Sequence, residues 1–215
     1  MTMRGAIFDM DGTLIDSMGG WATVGQRYLQ SRGITPAYGE RDSLMLQGWG
    51  SAVRHYQAAY GIEDGAETIE RDIKAMMADY YRTEPVLRAG VLDFLTQLRA
   101  SGVRICVATA TDRALAAPVL ERLGIAPFVE KLFVCGELNT TKHKPLIYDT
   151  AREWMGTPLE STWVFEDAWY AARTAKTAGY RVCGIADWYE PQERELRALC
   201  DVFTETYRDI TPFPF

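Results

Sequence analysis

The sequence predicts an α/β protein, a doubly wound parallel sheet with a helical block inserted after its first strand. Two observations carry this. From residue 86 onward, short apolar runs alternate with helix-period segments, the pattern of a parallel sheet covered on both faces. One strand-like run near the amino terminus stands apart from that pattern, separated by residues 16–85, which read as helical throughout.

Residues 4–8 (RGAIF) form the first β-prone run, broken at once by Asp9, Asp11 and Gly12. Trp21, Val24, Tyr28 and Leu29 then share one helical face. Ser51 is a candidate cap for a second helix, whose stripe holds Val53, Tyr56 and Tyr60. Ile69, Ile73, Met76, Met77 and Tyr80 mark a third. Beyond Pro85, Val91, Leu92, Leu95 and Leu98 indicate a helix closed by Gly102, and Val103–Ala108 a buried strand. A helix around Leu115–Leu123 follows, with Pro118 expected in its first turn or kinking it. Lys131–Cys135, Thr162–Phe165 and Arg181–Ile185 are further strands. Helices follow each of them: Pro145–Met155, Ala168–Ala178 and Pro191–Leu199. Val202–Phe203 is a candidate edge strand. The expected division is a core of residues 1–15 and 86–215, with a helical domain over 16–85.

At 215 residues, 47% hydrophobic and 24% charged, the chain has the composition of an ordinary globular protein with one sizeable core. A net charge of −6 gives no support to nucleic-acid or anionic-membrane binding, and no apolar run is long enough to span a bilayer. No signal peptide is visible, so the cytoplasm is the expected location, with a monomer or weak homo-oligomer as the default. Cys106, Cys135, Cys183 and Cys200 show no metal-ligand spacing and read as reduced thiols, the first three in apolar runs where a thiol behaves as a small buried hydrophobe. His55 and His143 have no partner at such spacing either.

In open parallel sheets, ligands bind outside the carboxyl ends of the strands. Asp9 and Asp11 follow the first strand, Thr109 the second, and Glu166 and Asp167 the run TWVF; Lys144 lies in a long connection. Carboxylates crowded on one rim repel one another and raise each other's pKa unless a cation intervenes. Mg²⁺ is the usual hard ion beside a phosphate. A carboxylate can then attack phosphorus, and a second acid two residues on can serve the leaving group and the water. Asp9 and Asp11 fit those roles, with Lys144 offsetting phosphoryl charge.

These residues resemble the haloacid dehalogenase-like hydrolase superfamily. DMDGTLIDS from Asp9 to Ser17 matches its DxDGTLxDS pattern, followed by Thr109 after VRICVA, Lys144-Pro145 at a helix start, and Glu166-Asp167 after TWVF. The resemblance covers residues 4–14 and about 87–185. It implies a Rossmann-like core in which Asp9 is the nucleophile, Asp11 the general acid/base, and Thr109, Ala110 and Lys144 the phosphoryl-binding set. It implies Mg²⁺ between the Asp9 carboxylate, the Asp11 carbonyl and Asp167, with Glu166 beside it or also ligating. Residues 16–85 resemble the family's α-helical cap. Where the fourth motif commonly carries serine and glycine, this chain has Ala168 and Ala171, with Trp169 and Tyr170 between them. Before Gly90 it reads Leu87-Arg88-Ala89, where related sequences often carry a proline.

Lys142 competes with Lys144 for the phosphate role, and Pro145 directly after Lys144 favours the latter. Thr111 competes in the same way with Thr109. By analogy with cap loops in the family, Gln47, Trp49 and Arg54 are expected to contact substrate. The implied activity is Mg²⁺-dependent hydrolysis of a small-molecule phosphate ester through an aspartyl phosphate. A β-phosphoglucomutase-like phosphomutase is the alternative within the fold, and a catalytically silent binding module the alternative outside it. Dehalogenases need no second acid at Asp11, and phosphonate-cleaving members use a cap lysine, for which only Lys74 is available in 16–85.

Overall fold

A computed structural model describes residues 2–37 and 49–211. Its strands in chain order are β1 (Gly5–Phe8), β2 (Ile15–Asp16), β3 (Val86–Leu87), β4 (Arg104–Thr109), β5 (Lys131–Val134), β6 (Thr162–Glu166), β7 (Arg181–Ile185) and β8 (Val202–Thr204). Among the described residues, four α-helices precede β3: α1 (Met18–Trp21), α2 (Val24–Ser31), α3 (Trp49–Tyr60) and α4 (Ala66–Thr83). Those beyond it are α5 (Val91–Ala100), α6 (Arg113–Arg122), α7 (Leu146–Met155), α8 (Trp169–Thr177) and α9 (Glu193–Leu199).

Six strands form one sheet in the order β5-β4-β1-β6-β7-β8, with every pairing parallel. The chain starts at the centre, builds outward through β4 to β5, then returns to the other side of β1 for β6, β7 and β8. Beside β1 the crossovers therefore depart in opposite senses, which opens the crevice where such sheets bind ligands.

Alternation along each strand decides what faces which layer. Ile7, Cys106, Ala108, Val164 and Val182 join one buried cluster with Ile147, Tyr148 and Ala151 of α7, Ala172 and Ala175 of α8, and Leu196 of α9. Intervening strand residues build an aromatic layer: Phe8 stacks on Phe165 at 4.2 Å, and Phe94 of α5 and Tyr207 pack around the pair. Pro118 lies inside α6 rather than in its first turn.

The chain divides into two compact units, Met1–Asp16 with Val86–Phe215, and Ser17–Pro85. The second holds α1 to α4. Val24, Tyr28, Ile69, Ile73 and Met77 are buried within it, and Arg32 pairs with Asp64 and Asp72, each at 2.7 Å. The periodic segment around Trp21–Leu29 is two helices, one ending at Trp21 and the next starting at Val24, with Thr23 between them at φ −125° and ψ −9°, outside the helical region. Ser51 lies inside α3 rather than capping it. β2 and β3, an antiparallel pair with Ile15 opposite Leu87, escape sequence reading because two residues cannot display a period.

Gly20 packs so closely that an added Cβ would lie 2.4–2.7 Å from ring atoms of Tyr80. Helix propensity alone would favour Gly20→Ala by about 1 kcal/mol. Overpacking a buried contact costs about 1–3 kcal/mol, so the expected net effect is destabilising. Denaturant unfolding followed by circular dichroism measures this; a stabilised variant would contradict the packing.

Candidate active site

Phe8 of β1 sits opposite Val107 on one side and Phe165 on the other, so three strands end side by side. Asp9 thus emerges between Ala108–Thr109 and Glu166–Asp167, its backbone N–H held by the Phe165 carbonyl at 2.9 Å. The following turn depends on Gly12, whose φ of 76° is a left-handed conformation that glycine adopts without Cβ strain. Leu14 and Ile15 both donate their N–H to the Met10 carbonyl, at 2.9 and 3.0 Å. The turn brings Thr13 to the site, where its hydroxyl donates to Asp167 Oδ1 at 3.0 Å.

The lysine at the site is Lys142, which corrects the expectation for Lys144. The buried Lys142 ammonium donates to Asp9 Oδ1 and, at 2.6 Å, to Glu166 Oε1. Lys144 is exposed. Its N–H closes a turn onto the Thr141 carbonyl at 3.0 Å just before α7, so Pro145 marks the helix start without marking the inward-facing residue.

Thr111 donates its N–H to Thr109 Oγ1 at 3.0 Å and its hydroxyl to Asp11 Oδ2 at 2.7 Å, linking the β4 terminus to the second acid. Ala110 between them is exposed. Tyr148 of α7 donates its phenol to Glu166 Oε1 at 2.7 Å.

Burial is the largest influence on Asp9, and together with the nearby Glu166 and Asp11 charges it overcomes Lys142 and pushes the carboxyl up to about 7. Burial likewise holds Asp167 well above the usual carboxylate range, with Asp9 and Glu166 adding to it. For Lys142, burial alone would lower the ammonium, but Asp9 and Glu166 outweigh it and keep it charged. Excess negative charge in a buried site is the condition that a cation relieves.

The donor set fits a hard divalent ion. One oxygen each from Asp9, Glu166 and Asp167 lies within 4.8 Å of the others, and all three residues are buried. Oxygens that share one Mg²⁺ lie up to roughly 4.2 Å apart, so the bound is of the order that one ion requires. Glu166 Oε2 is buried without a hydrogen-bond partner among the described residues, an acceptor in need of a positive neighbour. The Asp11 carboxylate is not among the three; it accepts from Thr111 instead.

Of the residues expected to touch substrate, Gln47 lies outside the described residues and Trp49 opens α3. Arg54 is exposed on the same helix. Thr13 and Tyr148 are site residues that sequence reasoning misses. Thr13 lies within the DMDGT motif, a usable signal, whereas Tyr148 shares the periodic face of Ile147, Ala151 and Met155 and reads as core.

The sequence matches the haloacid dehalogenase-like hydrolase family over residues 3–179. It is 27% identical to a phosphoglycolate phosphatase of Salmonella typhimurium, covering 98% of this chain and 92% of that one. It is also 27% identical to a phosphoglycolate phosphatase of Rhodospirillum rubrum, covering 86% and 80%. Among solved structures, CbbY from Rhodobacter sphaeroides in complex with phosphate superposes with a TM-score of 0.80 at 19% identity, over 97% and 96% of the two chains. A β-phosphoglucomutase candidate from Thermotoga maritima gives 0.80 at 21%, over 99% and 100%. With the family's motifs gathered on one strand rim and its match running through most of the chain, this protein belongs to the haloacid dehalogenase-like hydrolases.

Proposed function

We propose that the protein is a divalent-cation-dependent phosphoric monoester hydrolase acting on a small phosphorylated metabolite through an aspartyl phosphate. The observation that carries this reading is the buried Asp9 carboxylate, in contact with Lys142 and grouped with Glu166 and Asp167. An Asp9 oxygen attacks phosphorus as the bond to the ester oxygen breaks, and Asp11 gives its proton to the leaving alkoxide. Asp11 then takes a proton from water, the water oxygen bonds to phosphorus, and the bond to Asp9 breaks. Inorganic phosphate leaves and both carboxyl groups return to their starting states. Lys142, with the Thr109 hydroxyl and the Ala110 backbone, binds the phosphoryl group and offsets its charge. A Mg²⁺ held by Asp9, Glu166 and Asp167, with the Asp11 carbonyl, would supply the charge that lets two anions approach.

The names of the relatives make 2-phosphoglycolate the first substrate to try. In this reading residues 16–85 act as a cap that selects substrate, with Gln47, Trp49 and Arg54 as contacts. The reading places the enzyme in the cytoplasm as a monomer or weak homo-oligomer, without nucleic-acid or membrane partners. No helix among the described residues is long and apolar enough to cross a membrane.

The test is phosphate release from a panel of monoesters, including 2-phosphoglycolate and β-glucose 1-phosphate, with Mg²⁺ and with chelator. Free phosphate that depends on Mg²⁺ is the expected product. An isomeric sugar phosphate without free phosphate would make the protein a mutase, and no turnover on any ester would sink the reading.

A further inference from the structure

Glu166 accepts two hydrogen bonds on the same oxygen. Lys142 Nζ lies 2.6 Å and the Tyr148 hydroxyl 2.7 Å from Oε1, while Oε2 has no partner among the described residues. The two donors differ in stiffness. Lys142 ends a four-carbon stem, and its ammonium also serves Asp9. Tyr148 has two side-chain torsions, and its ring is fixed in the core cluster on α7, edge-on to Tyr180 with centroids 6.2 Å apart. Its buried hydroxyl therefore has one place to donate, and that place is Glu166.

We infer that Tyr148 is a positioning residue for the cation site: it pins Glu166 through Oε1 and so reserves Oε2 for a divalent ion shared with Asp9 and Asp167. This rests on the divalent-cation part of the proposed function. When Lys142 turns to a phosphoryl group, Tyr148 is the donor that keeps the Glu166 carboxylate from rotating. Hydrogen bonds of this kind, one step removed from the metal, are typically worth about 10- to 100-fold in metal affinity.

The experiment is Mn²⁺ binding to the full chain, with free Mn²⁺ counted by electron paramagnetic resonance. It compares the unaltered protein with Tyr148→Phe, Glu166→Gln and the double variant. Tyr148→Phe is expected to weaken binding about tenfold. Adding it to Glu166→Gln should change the affinity by no more than roughly twofold, because the partner it acts through is already gone. Tyr148→Met serves as a second hydroxyl-less variant should the phenylalanine form not fold. Unchanged affinity in a folded variant, full additivity in the double variant, or loss of fold in both hydroxyl-less forms overturns the inference. If the unaltered protein binds no Mn²⁺, it is the cation reading itself that fails.

Discussion

Asp9→Asn is expected to lower turnover by on the order of 10⁴-fold or more while leaving the protein folded. Asparagine keeps the shape of the side chain but has no anionic oxygen to form the bond to phosphorus. Burial and neighbouring carboxylates push Asp9 up to about 7. Perturbations of that kind cluster at functional sites. Phosphate release measures the loss. Acid-quenching with a labelled ester adds a direct readout: label should stay on the unaltered protein and not on the variant. A variant with residual activity within about tenfold of the original would remove Asp9 from the role of nucleophile.

The next largest effect is expected at Lys142, paired with a control at Lys144. Lys142→Met fills similar volume but leaves the Asp9 and Glu166 carboxylates facing one another without their shared ammonium. Removing one partner from a buried ion pair costs about 3–5 kcal/mol, so the melting temperature of the metal-free protein should fall markedly. Losing a preorganised positive group at the phosphoryl site should lower kcat by about 10²–10³-fold. Lys144→Met changes an exposed side chain outside these contacts and should leave kcat within about twofold. Thermal melts and steady-state kinetics on both variants decide the matter. A greater kinetic loss at Lys144 would reverse the assignment drawn from the geometry.

That pair also shows where sequence reading ends. The parallel sheet was legible because its central strands are continuous apolar runs. Arg181–Ile185 reads the same in sequence and in structure, and β4 and β6 differ only at their ends. The acids were legible for the same reason: Asp9, Glu166 and Asp167 stand directly after apolar strand residues, and strand direction alone puts them on one rim. The tie between Thr13 and Asp167 was hidden because a turn closed by Gly12 creates it across distant parts of the chain. Tyr148 was hidden because a buried aromatic on a periodic helix face has the same spacing whether or not its hydroxyl serves an acid.

By itself, then, the order of residues determined the sheet, the rim and the acids, since strand and helix periods are local properties written in consecutive side chains. Only the tertiary structure decided which of two lysines in an irregular turn points inward, which threonine holds Asp11, and which oxygen of Glu166 is left open. Outside regular elements, neighbours in sequence have no fixed angular relation. The direction of a side chain there is set by what the rest of the chain packs around it.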